Sequence, residues 1–216
     1  MSTGDMSPDR AGWSVVSDAE HLRELVGDPV QRVKDKVRTS LHELDRQWLA
    51  ASPLCLVASA GADGSCDVSP RGDPPGFTHV LDDRTIAIPD RPGNRRADAF
   101  GNVLENPRVG LIFLIPGRGD TLRINGTAHV LHDAPFFDEM VVRDHRPRLA
   151  LVVDVQEVFH HCSKAFLRSS LWDPASWKPD RVASRARIAQ TLEQPEQALN
   201  VLEDYYGPKY ADKLYR

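Results

Sequence analysis

The sequence predicts a mostly β protein, an antiparallel sheet most simply closed as a small barrel, with helices at its edges. Three observations predict this class. Roughly six or seven short segments have the continuous or alternating apolar pattern of strands. Most of them are joined by short turns rich in glycine, proline and aspartate. Strands and helices do not alternate, and no Gly-x-Gly-x-x-Gly or Walker motif is present, which disfavours a doubly wound nucleotide-binding fold.

The amino-terminal region is predicted to be helical. Ser17 followed by an acidic turn indicates a helix cap, and Gly27 should end that helix just before Pro29. A second short helix is expected over residues 30–38, and the spacing of apolar side chains predicts a third over residues 41–51. These helices are expected to pack against the sheet and to carry no chemistry.

The sheet and the remaining helices follow in order. The predicted strands cover residues 54–59, 66–69, 77–81, 85–88, 109–115, 121–130 and 148–159. The Pro- and Gly-rich residues 69–76 should break the second strand, and 109–115 reads as fully buried. Further helices are predicted from about Arg95 to Asn106 and over residues 134–142, 181–192 and 196–205. We therefore divide the chain into a helical segment (1–52), a barrel core (53–160) and a helical tail of peripheral packing (161–216).

Composition limits the possible functions. The 216-residue chain has a net charge of −4 and a pI near 6.1, which argues against a general nucleic-acid binder. No apolar run is long enough to cross a membrane, and the first residues lack the pattern of a signal peptide, so a cytoplasmic location is expected. Three cysteines, an odd and sparse set, fit free thiols in a reducing compartment.

One stretch has the composition of a phosphate site. An apolar strand ends at Pro89, a tight Pro-Gly loop follows, and a helix is expected to begin near Arg95. Backbone N–H groups at a helix start and the guanidinium groups of Arg91, Arg95 and Arg96 suit a phosphate group. The same pattern also fits an ordinary strand, turn and helix with solvated arginines.

A second cationic stretch follows the last strand. Ser163 is a potential helix cap, and Lys164 and Arg168 then lie on one helical face with Trp172 one turn further on. This arrangement suits a planar anionic ligand, and it equally suits a solvated basic face. Adjacent residues on a strand point to opposite faces, so the run of residues 160–162 is a poor clamp for one metal, and no metal site is expected.

Five motifs succeed one another along the chain in a fixed order. They cover residues 67–72 (Asp-Val-Ser-Pro-Arg-Gly), 88–96, 106–111, 121–126 and 161–172. Together they resemble the pyridoxamine 5′-phosphate oxidase-related, FMN-binding split-barrel proteins, in particular the bacterial subgroup with a Ser-Pro-Arg-Gly strand. The resemblance extends over residues 54–172, and it implies an antiparallel split β-barrel.

The resemblance also implies a homodimeric FMN-dependent oxidoreductase, with two-electron transfer at flavin N5 to or from a small-molecule substrate. Two sets of residues are implied to contact FMN. The first set comes from the strand and the arginine loop: Ser69, Pro70, Arg71, Gly72, Arg91, Asn94, Arg95 and Arg96. The second set would approach the flavin of the partner subunit: Lys164, Arg168, Ser169 and Trp172.

The chain departs from the vitamin B6 oxidases at its end. Residues 207–216 contain neither the tryptophan nor the histidine expected there, so oxidation of pyridoxine phosphate is not expected. No side chain is a clear general acid or base, and Arg71 is the best candidate for polarising the flavin or a substrate. Two alternatives stay open. One is a non-catalytic flavin-binding protein; the other is a related barrel for deazaflavin or haem, with His129, His132, His160 or His161 as the axial ligand.

Overall fold

A computed structural model describes residues 12–215 of the chain, which form seven strands and seven α-helices. The strands are β1 Leu54–Ala60, β2 Cys66–Gly72, β3 His79–Val80, β4 Thr85–Pro89, β5 Arg108–Leu114, β6 Thr121–Leu131 and β7 Ala150–His161. The helices are α1 Ala19–Val26, α2 Gln31–Lys34, α3 Glu43–Ala51, α4 Asp98–Glu105, α5 Lys164–Ser169, α6 Arg185–Leu192 and α7 Leu199–Tyr205. Short 3₁₀ helices cover Pro135–Met140, Pro174–Ser176, Pro179–Arg181 and Pro208–Lys213.

All strand pairs are antiparallel, in the order β2-β1-β5-β6-β7-β4-β3. The two outer strands, β2 and β3, do not pair with each other within residues 12–215, so the sheet stays open. This confirms an antiparallel split barrel with peripheral helices, and it corrects the simplest expectation of a closed barrel. The chain divides into two compact units, Met1–Lys36 and Val37–Arg216, and the whole sheet belongs to the second. The three-part division made from the sequence stays a prediction.

The predicted break at residue 69 is wrong, because β2 continues through the Ser-Pro-Arg-Gly sequence to Gly72. Proline has no N–H to donate, so it is tolerated in a strand only at a sheet edge or a bulge. Within the described residues β2 pairs with β1 alone, and this edge position accommodates Pro70. The second edge of β2 is therefore free to meet a ligand.

β6 and β7 change register between Asn125 and Gly126. A Cβ atom on Gly126 would lie only 2.1 Å from the backbone oxygen of Asp154, so no larger residue fits there without moving the backbone. A bulge of this kind increases twist, which helps a seven-stranded sheet to wrap around a core. The main core lies inside the wrapped sheet, and its largest fully buried side chains include Phe113, Leu111 and Ile124.

β4 shows how the two faces of the sheet are used. Ile86 and Ile88 point into the main core, whereas Ala87 belongs to a second buried cluster with Phe137 and Met140 of the 3₁₀ helix Pro135–Met140. That helix covers the outer face of the sheet, and it is shorter than the helix predicted over residues 134–142. β5 alternates buried and half-exposed residues, so its expected full burial is wrong.

Several helix ends differ from the predicted ones. The cap of α1 is Asp18 and not Ser17, because the Asp18 carboxylate accepts the His21 backbone N–H at 2.9 Å. Gly27 ends that helix as predicted, with a positive φ of 73°. α2 covers only Gln31–Lys34, in the first half of the predicted residues 30–38. The two tail helices α6 and α7 pack together around Ala186, Ala189 and Leu202.

Candidate functional site

A cleft of about 950 Å³ opens beside the free edge of β2. Its walls come from β2, from the loop after β4, from the start of α4 and from the segment that precedes β7. The first predicted set of FMN contacts lies entirely in these walls: Ser69, Pro70, Arg71, Gly72, Arg91, Asn94, Arg95 and Arg96. The fold thus brings together two motifs that are separate in the sequence.

Arg71 stands in one wall of the cleft, fixed on two sides. Its Nη1 atom is 2.6 Å from Asp90 Oδ1, and its guanidinium lies over the Phe100 ring, 4.8 Å from the centroid. The Arg71 side chain is 17% exposed, so it keeps an open side toward the cleft. Its positive charge is largely offset by Asp90, which makes Arg71 a positioned hydrogen-bond donor more than a free cation.

The loop between β4 and α4 has an unusual backbone. Arg95 and Ala97 both have positive φ values, 62° and 56°, in the left-handed region. The Arg96 N–H donates to the Asn94 side chain at 3.0 Å, and α4 begins only at Asp98, with no side-chain cap at Ala97. The predicted helix start near Arg95 is therefore wrong by three residues, and both exposed arginines lie in the turn that leads into the helix.

Arg91 has a different environment from the other two loop arginines. Its Nε atom is ion-paired with Asp73, whose side chain is only 1% exposed, and its Nη2 donates to the Met140 carbonyl at 2.7 Å. A further contact runs from Nη1 to the His145 carbonyl at 3.4 Å. These contacts tie the loop to β2 and to the segment before β7, so Arg91 acts first as a structural anchor.

The cleft walls carry five arginines and four aspartates. Six of these residues form three close pairs: Arg71 with Asp90, Arg91 with Asp73 and Arg96 with Asp98. Within the part of the chain that the structure describes, Arg95 and Arg148 have no ion-pair partner. Both are exposed cleft residues. An unneutralised guanidinium beside a turn is suited to an anion such as a phosphate.

None of the second predicted set lines this cleft. Lys164 and Arg168 are exposed on the short helix α5, and the Ser169 hydroxyl donates to the Phe166 carbonyl at 3.1 Å. The Trp172 ring stacks on Phe166, with centroids 6.1 Å apart, and its Nε1 donates to a backbone carbonyl at 2.6 Å. Their approach to the flavin of a second subunit stays a prediction.

The four histidines considered as haem ligands also lie outside the cleft walls. Two of them have carboxylate neighbours: His129 Nε2 is 3.2 Å from Asp154, and His160 Nε2 is 3.1 Å from Asp45. Asp45 is fully buried; its burial raises its pKa, but hydrogen bonds from Arg38 and from the His42 N–H lower it by more, so the net pKa lies below the ordinary value. This group fixes α3 against β7.

Several cleft residues were not singled out from the sequence. Asp73 directly follows the Ser-Pro-Arg-Gly sequence, and Asp90 directly precedes Arg91. The opposite charge so close to an arginine in the sequence could have indicated that both aspartates belong to the site. Arg148 lies just after the Arg-Asp-His-Arg sequence of residues 143–146, and this cluster of basic residues was its signal. Tyr215 had no signal, because it reaches the cleft from 142 residues away to donate a hydrogen bond to Asp73. The interpretation of the tail as purely peripheral packing is therefore wrong at its last described residues.

The fold and the site together define a class, a split-barrel protein with an arginine-rich cleft along an edge strand. The sequence model of the family described as pyridoxamine 5′-phosphate oxidase matches residues 41–162, more than half of the chain. The chain belongs to this family. No curated protein gives a significant match.

Several solved structures are distantly similar. HupZ from Group A Streptococcus is 17% identical, with a TM-score of 0.46, over 56% of this chain and 93% of that one. An FMN-binding protein from Syntrophomonas wolfei subsp. wolfei is 12% identical, with a TM-score of 0.42, over 55% and 89% of the two chains. An F420 reductase is 14% identical, with a TM-score of 0.37, over 52% and 93%. Similarity this low carries no argument about function, and the family assignment depends on the sequence model alone.

Among residues 12–215, no helix has both the length and the apolar character needed to cross a membrane.

The three cysteines are free thiols, with Cys55 buried and Cys66 and Cys162 exposed.

Proposed function

We propose that this protein binds FMN in the cleft beside β2 and serves as an FMN-dependent oxidoreductase acting on a small molecule. One observation carries the proposal: the Ser-Pro-Arg-Gly strand and the arginine loop, 15 or more residues apart in sequence, face the same cleft of about 950 Å³. This volume is typical of a cofactor site. Family membership supports the choice of flavin.

The donor set fits a flavin phosphate. The phosphate is dianionic and takes several hydrogen bonds, and Arg95 is the loop guanidinium without an acidic partner among the described residues. Arg96 shares its charge with Asp98 in an exposed pair and is a second donor. Asn94 already accepts the Arg96 N–H and holds the turn in shape. Arg91 belongs to the framework of the site, because its charge is held by buried Asp73.

The edge strand fits the polar rim of an isoalloxazine ring. β2 pairs on one side only among the described residues, so backbone N–H and C=O groups on its other side are available to a ring laid along Ser69–Gly72. Arg71, held in place by Asp90 and Phe100, provides a donor at a fixed position. When bound, FMN supplies two-electron chemistry at N5; the chain's own residues bind and orient it and tune its electronics.

We also propose that Lys164, Arg168, Ser169 and Trp172 act on the cleft of a second copy of the chain in a homodimer. Two observations support this. These residues do not line their own cleft, and α5 exposes Leu167 at 71%, a large apolar side chain on the same short helix. Sedimentation of the purified protein tests the dimer, and a monomer that binds FMN normally would contradict this assignment.

The visible spectrum of the purified protein tests the main proposal, followed by release and identification of any chromophore. Flavin bands with FMN released on denaturation are the expected result. A colourless preparation is then titrated with FMN and, as a control, with riboflavin, which lacks the phosphate. A protein that binds neither contradicts the proposal. Bound FMN that supports no turnover with any reductant would favour the non-catalytic alternative. A deazaflavin chromophore would favour the alternative of a related barrel that binds another cofactor.

A further inference from the structure

The segment after α7 ends in the cleft. The 3₁₀ helix Pro208–Lys213 leads to Leu214 and Tyr215, and both of these residues line the cleft wall. The Tyr215 hydroxyl donates to Asp73 Oδ1, while Arg91 holds the other carboxylate oxygen of Asp73. The ring lies near two guanidinium groups, those of Arg143 at 5.4 Å and Arg91 at 6.0 Å.

Two groups of side-chain contacts hold this segment among the residues that the structure describes. At the first end, the Tyr210 ring packs against Tyr205 and Tyr206, at 5.5 and 5.6 Å between centroids. At the other end, the Tyr215 hydroxyl makes the hydrogen bond to Asp73. The backbone hydrogen bonds of the described residues 208–215 are local, such as Leu214 N–H to the Ala211 carbonyl. A short 3₁₀ segment whose described backbone hydrogen bonds are local opens at a lower free-energy cost than a strand inside the sheet.

The wall beside Tyr215 has an unsatisfied polar atom. The Nδ1 atom of His145 is buried and has no hydrogen-bond partner among the described residues, and its ring lies 6.2 Å from that of Tyr215. Buried polar atoms are normally paired, and the described residues supply no partner for this one, so the packing of the cleft wall beside Tyr215 is incomplete. The segment that ends at Tyr215 therefore borders the proposed FMN site at an incompletely packed position.

We propose that Pro208–Tyr215 is a strap whose end, Leu214 and Tyr215, closes over the edge of the FMN cleft through the Tyr215–Asp73 hydrogen bond, and that this end must open for ligand to enter or leave. This inference rests on the proposed FMN site for its ligand but not for its closed state. A bond to a buried carboxylate is strong enough to keep the strap closed most of the time, and its loss should shift the opening equilibrium about tenfold.

Tyr215→Phe is the test variant, because it removes the hydroxyl and keeps the ring. Tyr210→Phe is the matched control, since the same hydroxyl is removed from the same segment away from Asp73. The first measurement is hydrogen exchange in the FMN-free protein, which requires no ligand. Faster exchange over residues 208–215 in Tyr215→Phe alone is the expected result.

The second measurement is FMN binding followed by flavin fluorescence. If the strap controls access, association and dissociation both accelerate about tenfold in Tyr215→Phe, and affinity changes little. Faster FMN dissociation with an unchanged association rate would instead mean that Tyr215 only contacts the bound ligand, and this result would overturn the strap proposal. Equal effects in both variants would also overturn it. If the wild-type protein binds no FMN, the proposed function fails, and hydrogen exchange alone then decides on the strap.

Discussion

Replacing Arg91 and Arg95 separately tests how the cleft divides its arginines between structure and ligand. Arg91→Ala removes the partner of a carboxylate that is 1% exposed, from a guanidinium that is itself 12% exposed. Arg95→Ala removes an exposed side chain that has no acidic partner among the described residues. The first change should therefore lower stability, and the second should lower affinity for FMN.

The magnitudes follow from burial. Breaking a buried ion pair from one side costs about 3–5 kcal/mol, because the remaining charge stays buried without compensation. The lost hydrogen bond to the Met140 carbonyl adds about 1 kcal/mol, while the Tyr215 hydroxyl still partly satisfies Asp73. We expect Arg91→Ala to lower the free energy of unfolding by about 3 kcal/mol, a large share of the total for a typical domain.

Urea unfolding of the FMN-free variants measures the change in the free energy of unfolding. Asp73→Asn supplies a control, because the double variant should lose clearly less than the sum of the two single variants if the pair is coupled. For Arg95→Ala we expect unchanged unfolding and FMN affinity lower by about tenfold or more, with riboflavin binding unchanged. An Arg91→Ala protein of wild-type stability that has lost FMN affinity would refute this division of roles.

Three further predictions concern backbone and charge. Gly126→Ala should destabilise the protein by more than about 2 kcal/mol in chemical unfolding, because the new Cβ atom would overlap the Asp154 backbone oxygen. Gly101→Ala is the control, because Gly101 is exposed in α4 and a Cβ atom there meets open space. We expect Gly101→Ala to stabilise the protein by about 0.5–1 kcal/mol. Because the pKa of Asp45 is lowered by folding, the ionised carboxylate stabilises the folded protein above pH 3.8, the ordinary pKa, and this stabilisation is lost as pH falls below that value. The difference in free energy of unfolding between wild type and Asp45→Asn should therefore shrink in acid. Burial and the hydrogen bond to Asp73 raise the pKa of Tyr215 above its ordinary value of 10.0, so its contact should hold at that pH and be lost as pH rises through the raised value. The difference between the ultraviolet titrations of wild type and Tyr215→Phe should show this phenol ionising above pH 10.0, and ionisation at or below that pH would contradict the contact.

Local patterns predicted most of the elements. The apolar run at residues 54–59 and the alternation at residues 121–130 each appear as a strand extended by one residue, because side-chain period and turn residues act over short distances. The ends of the helices were harder to predict from local patterns. The helix after the arginine loop starts at Asp98, since Arg95 and Ala97 take left-handed conformations that the sequence does not signal.

The sequence by itself determined the family, through five ordered motifs, and it identified the strand and the arginine loop that share the cleft. Only the tertiary structure decided what each arginine does. Arg91, Arg95 and Arg96 have the same side chain within six residues, yet one is anchored by a buried carboxylate and another has no acidic partner among the described residues. The structure also decided that Pro70 lies in an edge strand and that Tyr215 reaches the cleft. The physical reason is that charge pairing, edge position and burial depend on residues distant in the chain, and no local pattern carries that information.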